Sequence, residues 1–513
     1  MSTDQFLATN KKSLPATVTP GLERYRQLAD AGYRYIPICS EQLNDTETPV
    51  TLFAKLTEDE GRFLLESVEQ GKQVGRYSFI GWKPLLTFKA TGNQLSVIEQ
   101  KGSSTINGEP LTGIEKTLNA LRVSPLPDFT PFYGGAVGYI GYDYVRHIQK
   151  LPAKNPSLIG LPELIMVVPT CLIRFDHVSH KITTIVLSRV DRGDIEGSYE
   201  KTLRELARIN RGFTRKLRLG PIPNAETTGK RPLQSTSLLP SQFADGVARI
   251  KESIKRGEVS QVVLSQRISQ EYAGDPFFFY RVLRTVNPSP YLYYLDFGDH
   301  QLAGSSPEMM VRLEDGRVTL KPIAGTRRRG SSASEDQRLC QELLADEKER
   351  SEHMILVDLG RNELNQVCRS ESIRVTDLMT VEFYSHVMHI VSTLQGELLP
   401  AYSGFDLLRA VFPAGTLSGA PKRRAMEMIE LLEPTRREFY GGCVGYLGFN
   451  GNLDTCITIR TVLFQKRKAH FQVGAGIVAG SDPEKEYEET LNKAAAILTA
   501  LARTGTEGRW NRP

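Results

Sequence analysis

The chain has 513 residues, room for about three domains at roughly 150 residues each. At 40% hydrophobic and 24% charged it has the makeup of a globular protein, which excludes wholesale disorder and the collagen-like and low-complexity classes. Its 64 Lys and Arg against 59 Asp and Glu leave +5 spread along the length; Arg327-Arg328-Arg329 and Lys422-Arg423-Arg424 are too short for a basic stripe, so no nucleic-acid partner is expected.

The first residues, MSTDQFLATNKK, lack the apolar core of a signal peptide, and no apolar run approaches the ~20 residues of a membrane helix. The six cysteines show neither a CxxC pair nor zinc-type spacing and read as reduced thiols, so a cytoplasmic protein with no membrane association is expected. Residues 134–143 (GGAVGYIGYD) recur as 441–450 (GGCVGYLGFN). The spacing is GxxGxxG, not the GxGxxG of a dinucleotide loop, and no helix signal follows. These glycines therefore predict a strand used twice, packed close against neighbouring backbone. Runs of β-branched residues predict strands at 164–169 and 182–188, followed by a helix near 198–210. From Arg211 to Pro240 the composition turns to Pro, Gly, Ser, Thr and basic residues, a linker or long surface loop. A helix then begins with Ser241 as its N-cap, carries Phe243, Val247, Ile250 and Ile254 on one face and closes at Gly257; VSQVVLS at 259–265 follows as a buried strand.

The C-terminal half carries the chemistry. In DEKERSEH at 346–353, Glu349 and Glu352 are three apart and share a helix face. In SDPEKEYEETLNK at 481–493, Ser481 or Asp482 caps a helix with Pro483 in its first turn. Glu486, Glu489 and Lys493 then form one stripe, with Tyr487, Leu491 and Leu498 on the opposite, core-facing side. Two carboxylate pairs without His or Cys suit a hard cation, Mg²⁺ in particular; solvated surface is the bland reading of either pair. Gly474, Ala475 and Gly476 end a strand whose N–H groups suit a carboxylate. Arg460 interrupts a β-branched run, either reaching solvent at an edge or pairing with a carboxylate, and His389 is either structural or a proton shuttle. Together these features point to a Mg²⁺-assisted enzyme acting on a small polycarboxylate.

Several long motifs in order then make the chain resemble anthranilate synthase component I, the chorismate-binding subunit of tryptophan biosynthesis. They are LLES (64–67), NPSPYLYYL (287–295), SSPEM (305–309), KPIAGTRRRG (321–330), KERSEHMILVDLGRN (348–362), YSHVMH (384–389), FPAGTLSGAPK (412–422) and VGAGIVAGSDPEKEYEET (473–490). The resemblance implies an α+β fold of large antiparallel β-sheets packed as a sandwich with helices outside. The division expected is an N-terminal region, 1–210, holding regulatory elements, a linker at 211–240, and a chorismate-binding catalytic domain at 241–505. The implied reaction adds ammonia to chorismate at C2, expels the 4-hydroxyl and then eliminates pyruvate to leave anthranilate. Glu349, Glu352, Glu486 and Glu489 would hold Mg²⁺, some through water, and Gly325, Thr326, Tyr440, Arg460, Gly474, Ala475 and Gly476 would hold substrate. Glu308 matches a general acid for the departing hydroxyl and His389 the residue tied to pyruvate loss; Thr416 and Lys493 match further catalytic positions. Ser67, Pro290, Tyr291 and Leu292 match a remote pocket for L-tryptophan as inhibitor. The chain shows no glutaminase signature, so a separate glutamine amidotransferase subunit is the implied ammonia source. Ala324 stands where aminodeoxychorismate synthases carry a nucleophilic Lys, and Gln261 where isochorismate synthases carry a basic one. The rivals are a phenazine-type 2-amino-2-deoxyisochorismate synthase, which stops at the amino intermediate, and an inactive tryptophan-sensing homologue.

Overall fold

The computed structural model describes residues 18–56, 60–67, 75–127, 129, 131–222, 234–384 and 387–505. Two long strands, Tyr77–Thr91 and Leu164–Asp176, organise the molecule, because each runs through two sheets. Where they pass through the first sheet (77–82 and 171–176), they lie between Lys181–Arg189 on one side and Arg62–Glu66 on the other. That sheet continues through Tyr291–Asp296, His300–Ser306, Thr461–Gln465 and Lys468–Ile477 to Gln261–Glu271. Their other ends enter the second sheet, which continues through Gly135–Ile140, Cys443–Gly448, Leu453–Ile457, Met309–Glu314 and Arg317–Leu320 to Val387–Glu397. Ile323–Arg328 and Arg374–Phe383 complete that edge.

The two sheets face each other across an apolar layer, in which Phe63, Tyr293, Leu302 and Leu463 from the first meet Val137, Tyr139, Ile165 and Val444 from the second. The outer face of the first sheet buries Val462, Phe471 and Ile80 against helices Ile195–Gly212, Pro276–Val286 and Pro483–Thr504. The outer face of the second buries Phe88, Val311 and Leu394 against Pro110–Ala120, Glu347–Leu364 and Gly404–Val411. The fold is thus the α+β sandwich with helices outside that the motifs imply.

The glycine repeat has a specific use. Its two copies pair with each other, antiparallel, with Gly138 directly opposite Gly445. A Cβ at Gly138 would lie 1.9 Å from the Ile165 carbonyl oxygen, and one at Gly445 2.0 Å from that of Asp454. The same reciprocity holds for Gly135, which faces the Leu447 carbonyl at 2.1 Å, and Gly442, which faces that of Ile140 at 2.0 Å. The repeat therefore builds a local two-fold seam at the centre of the second sheet, where backbone-to-backbone approach leaves no room for a side chain.

Several expectations need correction. The 211–240 segment is not all loop: the Ile195–Gly212 helix runs into it and Gln234–Thr236 pairs with Gln261–Glu271, while strands from both sides of it pair directly. Residues 223–233 lie outside the described residues. The next helix is Pro240–Lys255, with Leu239 as N-cap in place of Ser241; the Gln242 side chain accepts the Leu239 N–H at 2.8 Å. In the last helix Leu491 is exposed, and Thr490, Ala494 and Ile497 are buried instead.

Candidate active site

The two sheets meet at a cleft floored by Lys468–Ile477 and Gln261–Glu271 and walled by Ile323–Arg328 and Val387–Glu397. The helices Glu347–Leu364 and Pro483–Thr504 bring the carboxylates to it. Each starts as its sequence dictates: the Asp346 carboxylate accepts from Lys348 N and Glu349 N, and that of Asp482 from Glu484 N and Lys485 N, with Pro483 in the first turn. Glu352 lies within reach of the charges of Glu349 and Glu489. Burial first, then repulsion from Glu349 and Glu489, pushes the Glu352 carboxyl up to about 7. Lys348, on the first helix, in turn acts on Glu486 of the second.

The carboxylates are not gathered round a common point. Gln261 Nε2 donates to Glu352 at 2.7 Å, Lys493 Nζ sits 2.6 Å from Glu489, and the Arg327 guanidinium lies 3.4 Å from Glu349 and 2.7 Å from Asp346. Among the described residues no three Asp, Glu, His or Cys side chains are close enough to hold a metal ion. The expectation of four carboxylates within reach of one ion is corrected to that extent. The donor set still fits a hard cation in kind, being all oxygen, and the mutual repulsion at Glu352 is what a cation relieves.

Gly325 ties several residues together. It is the extra residue of a β-bulge between Ala324 and Thr326, at φ +69°. A Cβ there would lie 3.1 Å from Glu349 Oε2 and 3.2 Å from Ile390. Its carbonyl accepts from His389 Nδ1 at 2.9 Å, beside the Thr326 hydroxyl at 3.0 Å. A carbonyl only accepts, so Nδ1 carries the proton and Nε2 keeps its lone pair. Burial holds the imidazole below its usual pKa, and Arg460 and Lys493 act in the same sense, so the ring is neutral near pH 7.

Glu308 sits at the turn between His300–Ser306 and Met309–Glu314 and is 8% exposed. Burial pushes its carboxyl up to about 7 against the pull of Thr416, Lys493 and Arg460. The Thr416 hydroxyl, buried beside it, makes no well-formed hydrogen bond among the described residues. Arg460 is not inside a strand, as the β-branched run suggests. It lies in the break between Leu453–Ile457 and Thr461–Gln465, at φ +51°, where the chain crosses from the second sheet to the first. Its half-buried guanidinium faces Tyr440, Glu489 and Glu308 and has no hydrogen bond or ion pair with any described residue.

Gly474 and Gly476 face the cleft. A Cβ at Gly474 would lie 2.9 Å from both Tyr440 Oη and the Leu264 carbonyl oxygen, and one at Gly476 2.7 Å from Gln261 Nε2. Ala475 points the other way, into the core with Phe243 and Val247, so only its backbone reaches the cleft. Tyr440 is held from beneath by Arg437, whose buried guanidinium binds Glu433 and the carbonyls of Leu417 and Val263. Sequence reasoning notes Gln261 only as a replaced base and does not mark Arg327 or Arg437 as site residues. Arg327 lies in a quoted motif, while nothing local signals Arg437.

The remote set also converges. Leu292 lies opposite Glu66 across paired strands, which brings Ser67 beside Pro290 and Tyr291. Glu66 is buried and accepts from Tyr280 Oη and, at 3.0 Å, from Arg284. Tyr291 Oη donates to Asp454 at 2.9 Å. The Leu292 side chain is core, 1% exposed, and its backbone lies between two paired strands, opposite Glu66 on one side and Ser305 on the other.

Residues 60–499 match the chorismate binding enzyme family. The chain is 45% identical over 490 residues to anthranilate synthase component 1 of Acetivibrio thermocellus, covering 95% of this chain and 99% of that one. It is 44% identical to the protein of the same name from Aquifex aeolicus, covering 94% and 97%. Among solved structures it is similar to anthranilate synthase component I from Streptococcus pneumoniae, with a TM-score of 0.71 and 34% identity over 89% of this chain and 99% of that one. The menaquinone-specific isochorismate synthase of Escherichia coli, 20% identical, has the same fold at a TM-score of 0.70, covering 97% and 98%. No helix among the described residues is long and apolar enough to cross a membrane.

Proposed function

The chain belongs to the chorismate-binding enzymes, among the anthranilate synthase component 1 proteins, and from that premise we propose that it converts chorismate and ammonia to anthranilate, pyruvate and water in the first step of tryptophan biosynthesis. It is a chorismate-utilising lyase. The observation that carries the detailed reading is Arg460, a half-buried guanidinium unpaired among the described residues, in the same cleft as a protonatable carboxyl and a neutral imidazole. An unpaired buried cation is costly unless an anion joins it, and a carboxylate of chorismate supplies one with matching bidentate geometry.

Tyr440 and the backbone of 474–476 complete the cradle. Ammonia adds at C2, the ring double bonds shift, and the C4–O bond breaks as Glu308 gives its proton to the departing hydroxyl, which leaves as water. The C2 proton is then removed, the ring C3–O bond to the enolpyruvyl group breaks so that the ring becomes aromatic, and the released enolpyruvate takes up a proton at its methylene carbon to become pyruvate. His389, with its free Nε2, is the base assigned to this second step. Glu349, Glu352, Glu486 and Glu489 would hold Mg²⁺, some through water; when bound it neutralises the ring carboxylate and fixes the ring's orientation. Ammonia reaches the site from a partner glutamine amidotransferase subunit. L-Tryptophan binds at Ser67, Pro290 and Tyr291, at the start of the strand that carries Leu292, and favours a state poor in chorismate turnover. The pairing of Glu66 with Leu292 supports this pocket by bringing the two segments together.

Arg460→Met tests the reading. Chorismate binding, followed by calorimetry, should weaken at least about a hundredfold, the loss of a buried charged hydrogen-bond pair. Unchanged affinity would remove Arg460 from the substrate site.

A further inference from the structure

Resting on the Mg²⁺ reading above, we infer that Lys493 and Arg327 are the resident counter-ions of the carboxylate set, and that a divalent cation enters by displacing them. Glu489 is held by Lys493 Nζ at 2.6 Å, and the same ammonium donates to the Gly474 carbonyl at 2.9 Å. Glu349 is held by Arg327 from the opposite wall at 3.4 Å. Those two carboxylates, with the Glu352 between them that repels both, are the negative charges that an ion at this place must bind. The chain's own cations already occupy them, which is why no three carboxylates among the described residues close round one point.

The charge balance favours an exchange. Lys493 and Arg327 each compensate one carboxylate of the set, Glu489 and Glu349, and a divalent ion compensates the same two, so the carboxylates stay neutralised through the exchange. Both outgoing heads have somewhere to go. Arg327 keeps Asp346, at 2.7 Å, and need only let go of Glu349. Lys493 keeps the Gly474 carbonyl, on the strand that faces the substrate. A freed Lys493 ammonium is then available to an anionic substrate, so substrate and metal each favour the other's binding, by the same factor in both directions. The metal alone binds weakly, because it competes with two built-in cations.

Mn²⁺ binding to the full chain without substrate, measured by electron paramagnetic resonance and calorimetry, tests this. Lys493→Met and Arg327→Met should each tighten Mn²⁺ binding about three- to fivefold, the worth of one partly exposed ion pair, and the double variant more. Arg327→Lys, which keeps the charge, should bind as the parent does. Glu352→Gln introduced into each variant should abolish the gain, which places the ion at this set. Equal or weaker binding in both Met variants would overturn the inference alone. A parent chain that takes up no Mn²⁺ even with chorismate present would overturn the metal reading, and this inference with it.

Discussion

Replacing Glu308 by Gln separates the chemistry of this carboxyl from its cost to the fold. The side chain is buried, and the Thr416 hydroxyl, Lys493 and Arg460 oppose the effect of burial without cancelling it, which pushes the carboxyl up to about 7 where 4.5 is ordinary. The sign for stability follows from that direction. With the folded value above the unfolded one, the folded chain binds the extra proton, so stability falls as pH rises from about 4.5 through 7. By pH 8 the withdrawal is roughly 3 kcal/mol as an upper bound. Gln is nearly isosteric with the protonated acid, so Glu308→Gln should match the parent in urea unfolding at about pH 4 and exceed it at pH 8. Activity should move the other way. Without a proton for the C4 hydroxyl, the amination step should slow by about 10²–10⁴, or about 3–5 kcal/mol of barrier. In the parent, kcat/KM should fall as pH rises past 7, and the variant's residual rate should lack that limb. A variant with parental turnover, or one less stable than the parent at pH 8, would refute the reasoning.

His389→Ala should leave amination running while pyruvate release slows, so chromatography of the reaction should show the amino intermediate accumulating; equal loss of both steps would make the imidazole a binding or structural group. Ser67→Phe should relieve inhibition by L-tryptophan with little change in the uninhibited rate, and chorismate should weaken tryptophan binding in calorimetry. Tryptophan without effect at millimolar concentration would sink the regulatory pocket and leave the catalytic assignment untouched. Gly445→Ala should destabilise the fold by at least about 3 kcal/mol in thermal unfolding, because its Cβ would lie 2.0 Å from a backbone carbonyl oxygen in the central seam.

Local and repeated features are the ones legible in the sequence. Glu349 and Glu352, and Glu486 and Glu489, announce themselves by three-residue spacing behind Asp caps, and the helices form as that spacing requires. The glycine repeat announces a strand used twice, but not that the copies pair with each other, because register across some three hundred residues leaves no local trace. Arg460 reads as a strand residue because its neighbours are β-branched; the sheet crossing that frees its guanidinium is a property of the whole topology. Ala475 sits between two site glycines in sequence, yet strand alternation turns its side chain into the core. The polar, Pro-rich composition of 211–240 suggests a divide, while the pairing of strands from both sides of it depends on packing that composition does not record. Lys493 and Arg327 as counter-ions emerge only when the two helices and the bulged strand are brought together.

The most direct test of the central claim is product analysis of the full chain incubated with chorismate, Mg²⁺ and an ammonium salt at pH 8, following anthranilate by its fluorescence and pyruvate by a coupled dehydrogenase. Equal amounts of anthranilate and pyruvate, absent when Mg²⁺ is chelated and lost in Glu352→Gln, are predicted. An amino intermediate without pyruvate would contradict the second half of the reaction, and chorismate left intact would contradict the whole assignment.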